Sequence, residues 1–389
     1  MIIFFQPMAQ FTVTFEPARD PDGLAALWGD LEGRAEATFF MSWLWVGAWL
    51  RALPKHLDTR LVVVRHDGMV VGLAVLTLVN NGSRRPFRPC TAYLHETGIP
   101  ALDVATIEDN GILADRRFAG EVEAVVLRWL TGEGSSMQRI VLGGIRPALA
   151  GIAREVASER GLVCDNRNES PRPYVDLDAI RRQGRCYLDC LSANTRQSIR
   201  RSMRLYEDRG PIELTVAQSV EEGEAFLGRL KELHQAYWTA RGRPGAFAHP
   251  MFGRLHVDLV RTAFAAGAVQ LCRITAGDAD VGYLYNFVWR GWVYAYQSGF
   301  HYERDNRFKP GLVSHCLAGE HALSCGHSVY DFMAGARQHK ASLSTNQDHL
   351  YWIVIQRPTG IARIRRQLGL LRRRQRSGAA SAKSSQRLT

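Results

Sequence analysis

The segment 292–335 restricts the fold of this chain more than any other stretch of its sequence. It begins with WVYAYQSG, whose alternating side chains predict a strand with hydroxyl groups on one face. A polar, basic loop follows, and Pro310-Gly311 then marks the start of a helix with an apolar stripe. VYDFM, at 329–333, predicts a short buried strand. The segment therefore predicts a strand–helix–strand crossover of an α/β fold.

The loop before that helix predicts an anion site. The first N–H groups of a helix have no partner within the helix, and Arg304, Arg307 and Lys309 lie beside them in the sequence. This combination suits a phosphate or a pyrophosphate. A crossover with a merely solvated basic loop stays open as the alternative, because no glycine-rich phosphate fingerprint is complete here.

Charge and cysteine content restrict the function classes. Of the formal charge of +11, nine positive charges lie between Arg363 and Thr389 without an acidic residue, so only +2 remains for the rest. A neutral body argues against specific nucleic-acid binding, and the basic tail, 359–389, predicts a partly disordered extension that could alternatively touch an anionic membrane or RNA. The seven cysteines form no CxxC pair, and no apolar run is long enough to span a bilayer. We therefore expect free thiols, no metal and a cytoplasmic location.

The order of elements occurs twice along the chain. VVVRHDGMVVGLAVLTL in the first half and LCRITAGDADVGYLYNFV in the second both predict a hairpin with a glycine turn. In each half a helical region precedes the hairpin, and a strand, a helix and another strand follow it. This repetition predicts a tandem α/β duplication joined near 178–184. A coincidence of common elements is the alternative.

Five motifs of the second half resemble one family when taken together. LSANTRQSIRRSMRLYEDRG, LHQAYWTARGRPGAF, WVYAYQSGF, KPG and VYDFMAGARQHK are similar to the CelD/BcsL-type acetyltransferases, which belong with the tandem-GNAT proteins and the FemAB peptidoglycan aminoacyltransferases. The resemblance implies an α/β protein of two tandem GNAT-like domains, each a mixed sheet flanked by helices. It implies a degenerate domain at 1–178 and the acetyltransferase domain at 185–358. One departure is that 307–311, RFKPG, lacks the glycine pattern of the usual GNAT pyrophosphate signature.

The resemblance also implies an activity. It implies transfer of an acetyl or other acyl group from acyl-CoA, with no covalent cofactor, to an amine or hydroxyl of a small molecule, sugar or cell-envelope precursor. Two alternatives stay open. One is a FemAB-like transferase that uses aminoacyl-tRNA, and the other is a non-catalytic binding protein that docks through its basic tail.

Catalytic candidates come from the residue types that acyl transfer needs. Asp331 is a lone carboxylate in an apolar strand and is predicted to act as a general base or to orient the acceptor, unless it only caps the next turn. Tyr296 is a candidate proton donor, and Lys340 could stabilise a phosphate or an oxyanion. Both could instead be structural or surface residues.

Two further groups are predicted to bind ligands. The donor site is expected to contain Gln297, Ser298, Arg304, Arg307, Lys309 and Gly311. The acceptor site is expected to contain Arg196 and Arg200, which share a helix face, and the cluster of Tyr237, Trp238 and Arg241. A solvated arginine face and aromatic core packing are the corresponding alternatives.

Overall fold

The structure is a computed structural model that describes residues 11–18, 21–80, 90–105 and 107–358. The predictions made for the tail 359–389 lie outside these residues. None of the helices described is long and apolar enough to cross a membrane.

Strands and helices follow each other in the same order in both halves, apart from a two-residue strand in the first half and three helices at the start of the second. The elements of the first half are β1 (Phe11–Pro17), α1 (Pro21–Arg34), α2 (Trp43–Ala52), β2 (Asp58–His66), β3 (Met69–Asn80), β4 (Cys90–Leu94), β5 (Leu113–Ala114), α3 (Ala119–Leu130), β6 (Met137–Ile145), α4 (Pro147–Glu159) and β7 (Val163–Asp176). The elements of the second half are α5 (Leu177–Arg182), α6 (Tyr187–Cys190), α7 (Ala193–Glu207), β8 (Ile212–Val216), α8 (Val220–Thr239), α9 (Pro250–Ala263), β9 (Val269–Ala276), β10 (Ala279–Trp289), β11 (Trp292–Phe300), α10 (Pro310–Ser324), β12 (Val329–Asp331), α11 (Gln338–Leu343) and β13 (Asn346–Gln356).

The two halves join into one mixed sheet by exchanging strands. The order across the sheet is β1-β2-β3-β4-β6-β13-β7-β12-β11-β10-β9-β8, with β5 beside β3. The last strand, β13, thus lies between β6 and β7 of the first half, while β7 pairs with β12 of the second. The predicted α/β fold with a mixed sheet is confirmed.

Both predicted hairpins are present, and their turns explain the glycines. At the first turn Asp67 and Gly68 have φ of 50° and 81°, the left-handed conformation that a two-residue hairpin loop requires. Gly277, at the second turn, has φ of 57°. The apolar run 39–53 suggests a single helix, but the structure divides it. A 3-10 turn at Phe39–Met41 comes first, and the Ser42 side chain then caps α2.

The core on one face of the sheet is continuous between the halves. Helices α1 and α2 of the first half and α8 and α9 of the second cover this face, which we call the front face. Phe39 stacks on Phe287 with ring centroids 4.0 Å apart, so the halves meet through buried aromatic rings. On the back face the first half is covered by α3 and α4 and the second by α7 and α10, as two separate cores.

The connection between the halves is more ordered than the sequence suggests. Residues 177–182 form α5, and Asp176 caps it by accepting a hydrogen bond from the Ala179 N–H at 2.8 Å. Strand β7 extends over 163–176, although the sequence predicts a strand only over 174–177. Its polar and proline-rich part pairs with β13, with one irregularity between Trp352 and Ile353. This partner lies more than 170 residues away in the sequence and is invisible to local pattern analysis.

Candidate active site

Strands β11 and β12 separate to form a gap in the sheet. They are parallel and pair only through Trp292–Tyr294 and Val329–Asp331. After Asp331 the chain follows β7 instead, since the Phe332 N–H donates to the Pro173 carbonyl at 3.1 Å and the Gly335 N–H donates to the Pro171 carbonyl at 2.8 Å. In the part of the chain that is described, the rest of β11 therefore has no strand on that side.

A β-bulge changes the direction of side chains at the edge of this gap. Tyr285 of β10 pairs with Gln297 and Asn286 pairs with Ala295, so Tyr296 is the extra residue. Tyr296 and Gln297 both lie on the front face, whereas Ser298 lies opposite Leu284, which belongs to the back core. The predicted alternation of hydroxyl groups on one face is therefore wrong beyond Ala295. A bulge leaves a backbone N–H outside the strand ladder, and this bulge lies in the strand that borders the gap.

Tyr296 lies in a box of aromatic side chains. Its ring centroid is 4.8 Å from that of Phe287, 5.0 Å from that of His256 and 5.9 Å from that of Trp45, a residue of the first half. Tyr294 is buried, whereas Tyr296 is only partly buried, and its hydroxyl has no hydrogen-bond partner among the described residues. Burial raises the pKa of Tyr296 above its ordinary value, so the hydroxyl stays protonated at neutral pH.

A glutamate of the first half reaches the same gap. The Glu108 carboxylate accepts a hydrogen bond from the Ala334 N–H at 2.5 Å, just beyond the end of β12. Burial raises the pKa of Glu108, and although the Lys340 charge lowers it, the result is about 7. Glu108 was not among the residues predicted from the sequence. The polar run Glu108-Asp109-Asn110 gave a hint, but a run of polar residues does not show which distant residues it will contact in the folded chain.

Lys340 closes the end of the gap beside Glu108. Its Nζ donates hydrogen bonds to the carbonyls of Met333 at 3.3 Å and Ala334 at 2.8 Å. Burial lowers the pKa of Lys340, and the Glu108 charge opposes this change. The structure thus brings two predicted candidates, Tyr296 and Lys340, to one gap. Their chemical roles stay predictions.

Asp331 is not the lone carboxylate that the sequence suggested. It is completely buried, and Arg172 of β7 donates to its Oδ2 from Nε at 2.7 Å. Nη2 of Arg172 also donates to Asp109 of the first half at 2.9 Å, and Arg146 holds the other side of Asp109. Asp331 further accepts the Met333 N–H at 2.8 Å, which is the turn-capping alternative. Its oxygens are thus engaged in holding the halves together and are not directed at an acceptor.

The two arginines of this network set the charge of Asp109. Burial raises the pKa of Asp109, but the charges of Arg172 and Arg146 and their hydrogen bonds outweigh burial, and the pKa lies below its ordinary value. The Arg172 guanidinium also stacks 4.9 Å from the centroid of Trp292. The two halves are therefore joined next to the gap by the ion pairs of Arg172 with Asp109 and Asp331 and of Arg146 with Asp109.

The predicted phosphate loop lies at the start of α10, and its residues are not equivalent. Arg307 forms an ion pair with Asp305 at 2.6 Å, so it is not a free ligand as predicted. Lys309 is exposed, and its backbone N–H donates to the Ser202 Oγ at 2.8 Å. The start of α10 has no side-chain cap. A Cβ at Gly311 would lie 3.2 Å from the Phe300 ring, so glycine allows close packing of α10 on β11.

The predicted acceptor residues fall into two separate places. Tyr237, Trp238 and Arg241 gather at the end of α8, on the front face. Arg196 instead donates to the Asp189 and Leu191 carbonyls, and Arg200 pairs with Asp189 at 3.1 Å. These two arginines hold the start of α7 on the back face. The prediction that they share a site with Trp238 is wrong, because the periodicity of a helix does not show which face its neighbours cover.

In the described residues of the first half, the corresponding space between the strands is filled. Between β4 and β6, the Asn110 Nδ2 donates to the Leu94 and Gly143 carbonyls, both at 3.0 Å, and His95 Nδ1 lies 2.9 Å from the Asn110 Oδ1. Between β4 and β6 the Asn110 side chain thus fills the space that, in the second half, stays open between β11 and β12. Within the described residues no cluster of potential metal ligands occurs, and each cysteine is a free thiol.

Comparison with known proteins identifies one domain in the chain. Residues 193–341 match the model of the acetyltransferase (GNAT) domain, so the second half carries such a domain. No curated protein matches the chain in sequence.

Two solved structures share the fold of most of the chain at low identity, and a third is less similar. The crystal structure of FemX is 10% identical, with a TM-score of 0.55 over 84% of this chain and 95% of that one. The C-terminal domain (DUF2156) of a putative lysylphosphatidylglycerol synthetase from Agrobacterium fabrum is 12% identical, with a TM-score of 0.51 over 90% of this chain and 97% of that one. A tandem GNAT protein from the clavulanic acid biosynthesis pathway is 16% identical, with a TM-score of 0.44 over 90% of this chain and 100% of that one. At these identities the first two likenesses show the fold alone.

Proposed function

We propose that this chain transfers an acyl group from an acyl-CoA thioester to an amine or hydroxyl acceptor in the gap between β11 and β12. The observation that carries the proposal is the position of Glu108, whose carboxylate reaches from the first half to the edge of this gap. The gap also adjoins the bulge at Tyr296 and ends near the uncapped start of α10. A base, backbone donors and an anion site thus surround one opening.

The donor would bind with its phosphates at the start of α10. Helix N–H groups, Lys309 and Arg304 supply the positive potential there. Unlike Arg307, these two cations have no carboxylate within ion-pair distance among the described residues. The pantetheine arm would then follow the open edge of β11 into the gap.

The chemistry follows from the groups at the gap. The bulge N–H near Tyr296 and Gln297 would receive the thioester oxygen as negative charge develops on it. Glu108, with its pKa near 7, would accept the proton of the attacking amine or hydroxyl. The new bond to the acyl carbon forms as the carbon–sulfur bond breaks, and the Tyr296 hydroxyl would protonate the leaving thiolate. Asp331, which the sequence favoured as the base, would act through Arg172 as a positioning residue.

The finer assignments belong to the same proposal. The motifs of the second half favour a CelD/BcsL-type enzyme and a sugar or cell-envelope acceptor. The first half would serve as a scaffold that supplies Glu108, since Asn110 occupies its own gap.

Thermal unfolding with coenzyme A, acetyl-CoA and longer acyl-CoAs tests the proposal. A ligand at a hundred times its Kd stabilises the folded state by about 2.7 kcal/mol, which raises the Tm by a few degrees. Arg304→Ala combined with Lys309→Ala should abolish the shift, whereas Arg182→Ala, an exposed arginine of α5, should leave it unchanged. The absence of a shift with any of these ligands would refute coenzyme A as the donor carrier and favour aminoacyl-tRNA.

A further inference from the structure

Three arginines at the front mouth of the gap are stacked on aromatic rings. The Arg241 Cζ lies 3.6 Å from the centroid of the Tyr237 ring. On the neighbouring ring of Trp238, the Cζ of Arg337 lies 5.3 Å and that of Arg243 lies 5.8 Å from the centroid. We call these three arginines and two rings the arginine cradle. It combines the end of α8 with the loop between β12 and α11.

The cradle arginines are not neutralised. Elsewhere Arg200 and Arg307 pair with Asp189 and Asp305, but in the described part of the chain no carboxylate lies within 4.0 Å of the three cradle guanidinium groups. The only hydrogen bond that these side chains make there is from Arg241 to the Tyr237 carbonyl at 3.1 Å. Three adjacent positive charges without counter-charges repel one another, so the site is prepared for an anion.

The rings of the cradle orient the arginines and leave little room for a stacked ligand. Arg241 lies over Tyr237, and the Tyr302 ring lies 4.7 Å from it. Two guanidinium groups likewise lie against Trp238. A stacked guanidinium is held in one plane, and its N–H groups point outward in a fork that matches a phosphate or a carboxylate. A sugar that stacked on Trp238 would first have to displace Arg243 or Arg337.

Tyr302 lies beside the cradle. It is 53% exposed, although it is a large aromatic residue, and its ring lies 4.7 Å from that of Tyr237. Burial and the neighbouring Tyr237 raise the pKa of Tyr302 to about 12, and the charges of Arg241 and Arg337 oppose this change. An exposed tyrosine thus accompanies the cradle arginines.

The cradle adjoins the gap on the front face of the sheet. His234 Nδ1 donates to the Ser298 carbonyl of β11 at 3.2 Å, and the His234 ring lies 6.0 Å from that of Trp238. Arg337 follows three residues after Ala334, which Glu108 contacts. The start of α10 lies on the back face instead, against Phe300 and Ser202. An anion in the cradle would therefore belong to a molecule that enters from the front.

From this arrangement we infer that the acceptor carries an anionic group, a phosphate or a carboxylate, which the cradle binds while the acceptor's amine or hydroxyl points to Glu108. The inference rests on the proposed function, because it assigns the front entrance to the acceptor. It adds the chemical class of the acceptor and two residues, Arg243 and Arg337, that the sequence analysis did not single out.

Isothermal titration of the coenzyme A-saturated full chain tests this inference. The probes are inorganic phosphate, glucose 6-phosphate, glucuronate and uncharged glucose. We expect binding of charged probes but not of glucose, and the comparison of glucose 6-phosphate with glucuronate identifies the preferred anion. Arg337→Gln and Arg241→Gln should each weaken that binding by about tenfold or more, since a charge-assisted hydrogen bond is lost. Arg241→Lys should weaken it less, because it keeps the charge but not the fork.

Arg182→Gln on α5 is the matched control and should bind the probes as the unaltered chain does. The inference is overturned if no charged probe binds, or if binding survives both cradle substitutions. It is also overturned if the cradle substitutions weaken coenzyme A itself, because the site would then belong to the donor. A chain that does not bind coenzyme A but binds phosphate through Arg337 would refute the proposed donor and leave the cradle as an anion site.

Discussion

Replacement of Arg172 by methionine tests how the two halves are held together. Arg172 is 3% exposed and lies between Asp109 and Asp331, which are 1% and 0% exposed. Methionine preserves much of the stem volume but removes the charge, so Asp331 would become a buried carboxylate without a cation. Breaking a buried pair in this way costs roughly 3–5 kcal/mol. That is a large part of the total stability of a folded protein, which is about 5–15 kcal/mol.

Urea denaturation at several pH values measures this effect. In the unaltered chain the lowered pKa of Asp109 contributes stability that is present above the unfolded pKa and is lost as the pH falls through the folded value. In Arg172→Met the buried Asp331 carboxylate has lost its cation, so it should bind a proton more tightly in the folded state than in the unfolded state. The free energy of unfolding of this variant should therefore fall as the pH rises. Adding Asp331→Asn to Arg172→Met should recover part of the loss, because the unpaired charge is removed.

An exposed ion pair provides the control for this experiment. Arg128 and Glu159 lie 3.0 Å apart, with side chains 45% and 49% exposed. Arg128→Met should therefore cost less than about 1 kcal/mol. If Arg172→Met costs no more than Arg128→Met and shows no reversed pH dependence, the network does not hold the halves together.

Three further predictions concern the gap and its surroundings. Glu108→Gln keeps an acceptor for the Ala334 N–H but removes the base, so hydrolysis of acetyl-CoA, followed as released thiol, should fall by about 10²–10⁴-fold. In the unaltered chain this rate should rise with pH through about 7, and stability should be lost between 4.5 and about 7, because the folded pKa of Glu108 is raised. An unchanged rate in Glu108→Gln would exclude it as the base. At Gly299 a Cβ would lie 2.4 Å from the Leu230 carbonyl oxygen, so Gly299→Ala should cost about 1–3 kcal/mol in urea denaturation, whereas Gly151→Ala, in open space on α4, should be neutral or stabilising. If Gly299→Ala and Gly151→Ala changed the free energy of unfolding equally, α8 would be able to move away from β11 without a cost in free energy.

The pattern of the sequence alone is sufficient for several elements of the second half. Alternation over 292–299, Pro310-Gly311 and VYDFM correctly indicates β11, α10 and β12, because strand and helix periods and turn residues are local properties. The glycine turns likewise locate both hairpins. Local pattern therefore assigns the loop 301–309 and the residues at the end of β11 to the correct region of the fold.

The tertiary structure alone decides which of those residues face one another. Asp331 looks available in the sequence because its partner, Arg172, comes from a strand 159 residues earlier that the strand exchange brings beside it. Glu108 looks like part of a polar loop for the same reason, since its site is built by Ala334, 226 residues later. A register shift of one residue at Tyr296 moves Ser298 to the other face. Long-range pairing, bulges and burial depend on the packing of distant segments, and only the folded chain brings those segments together.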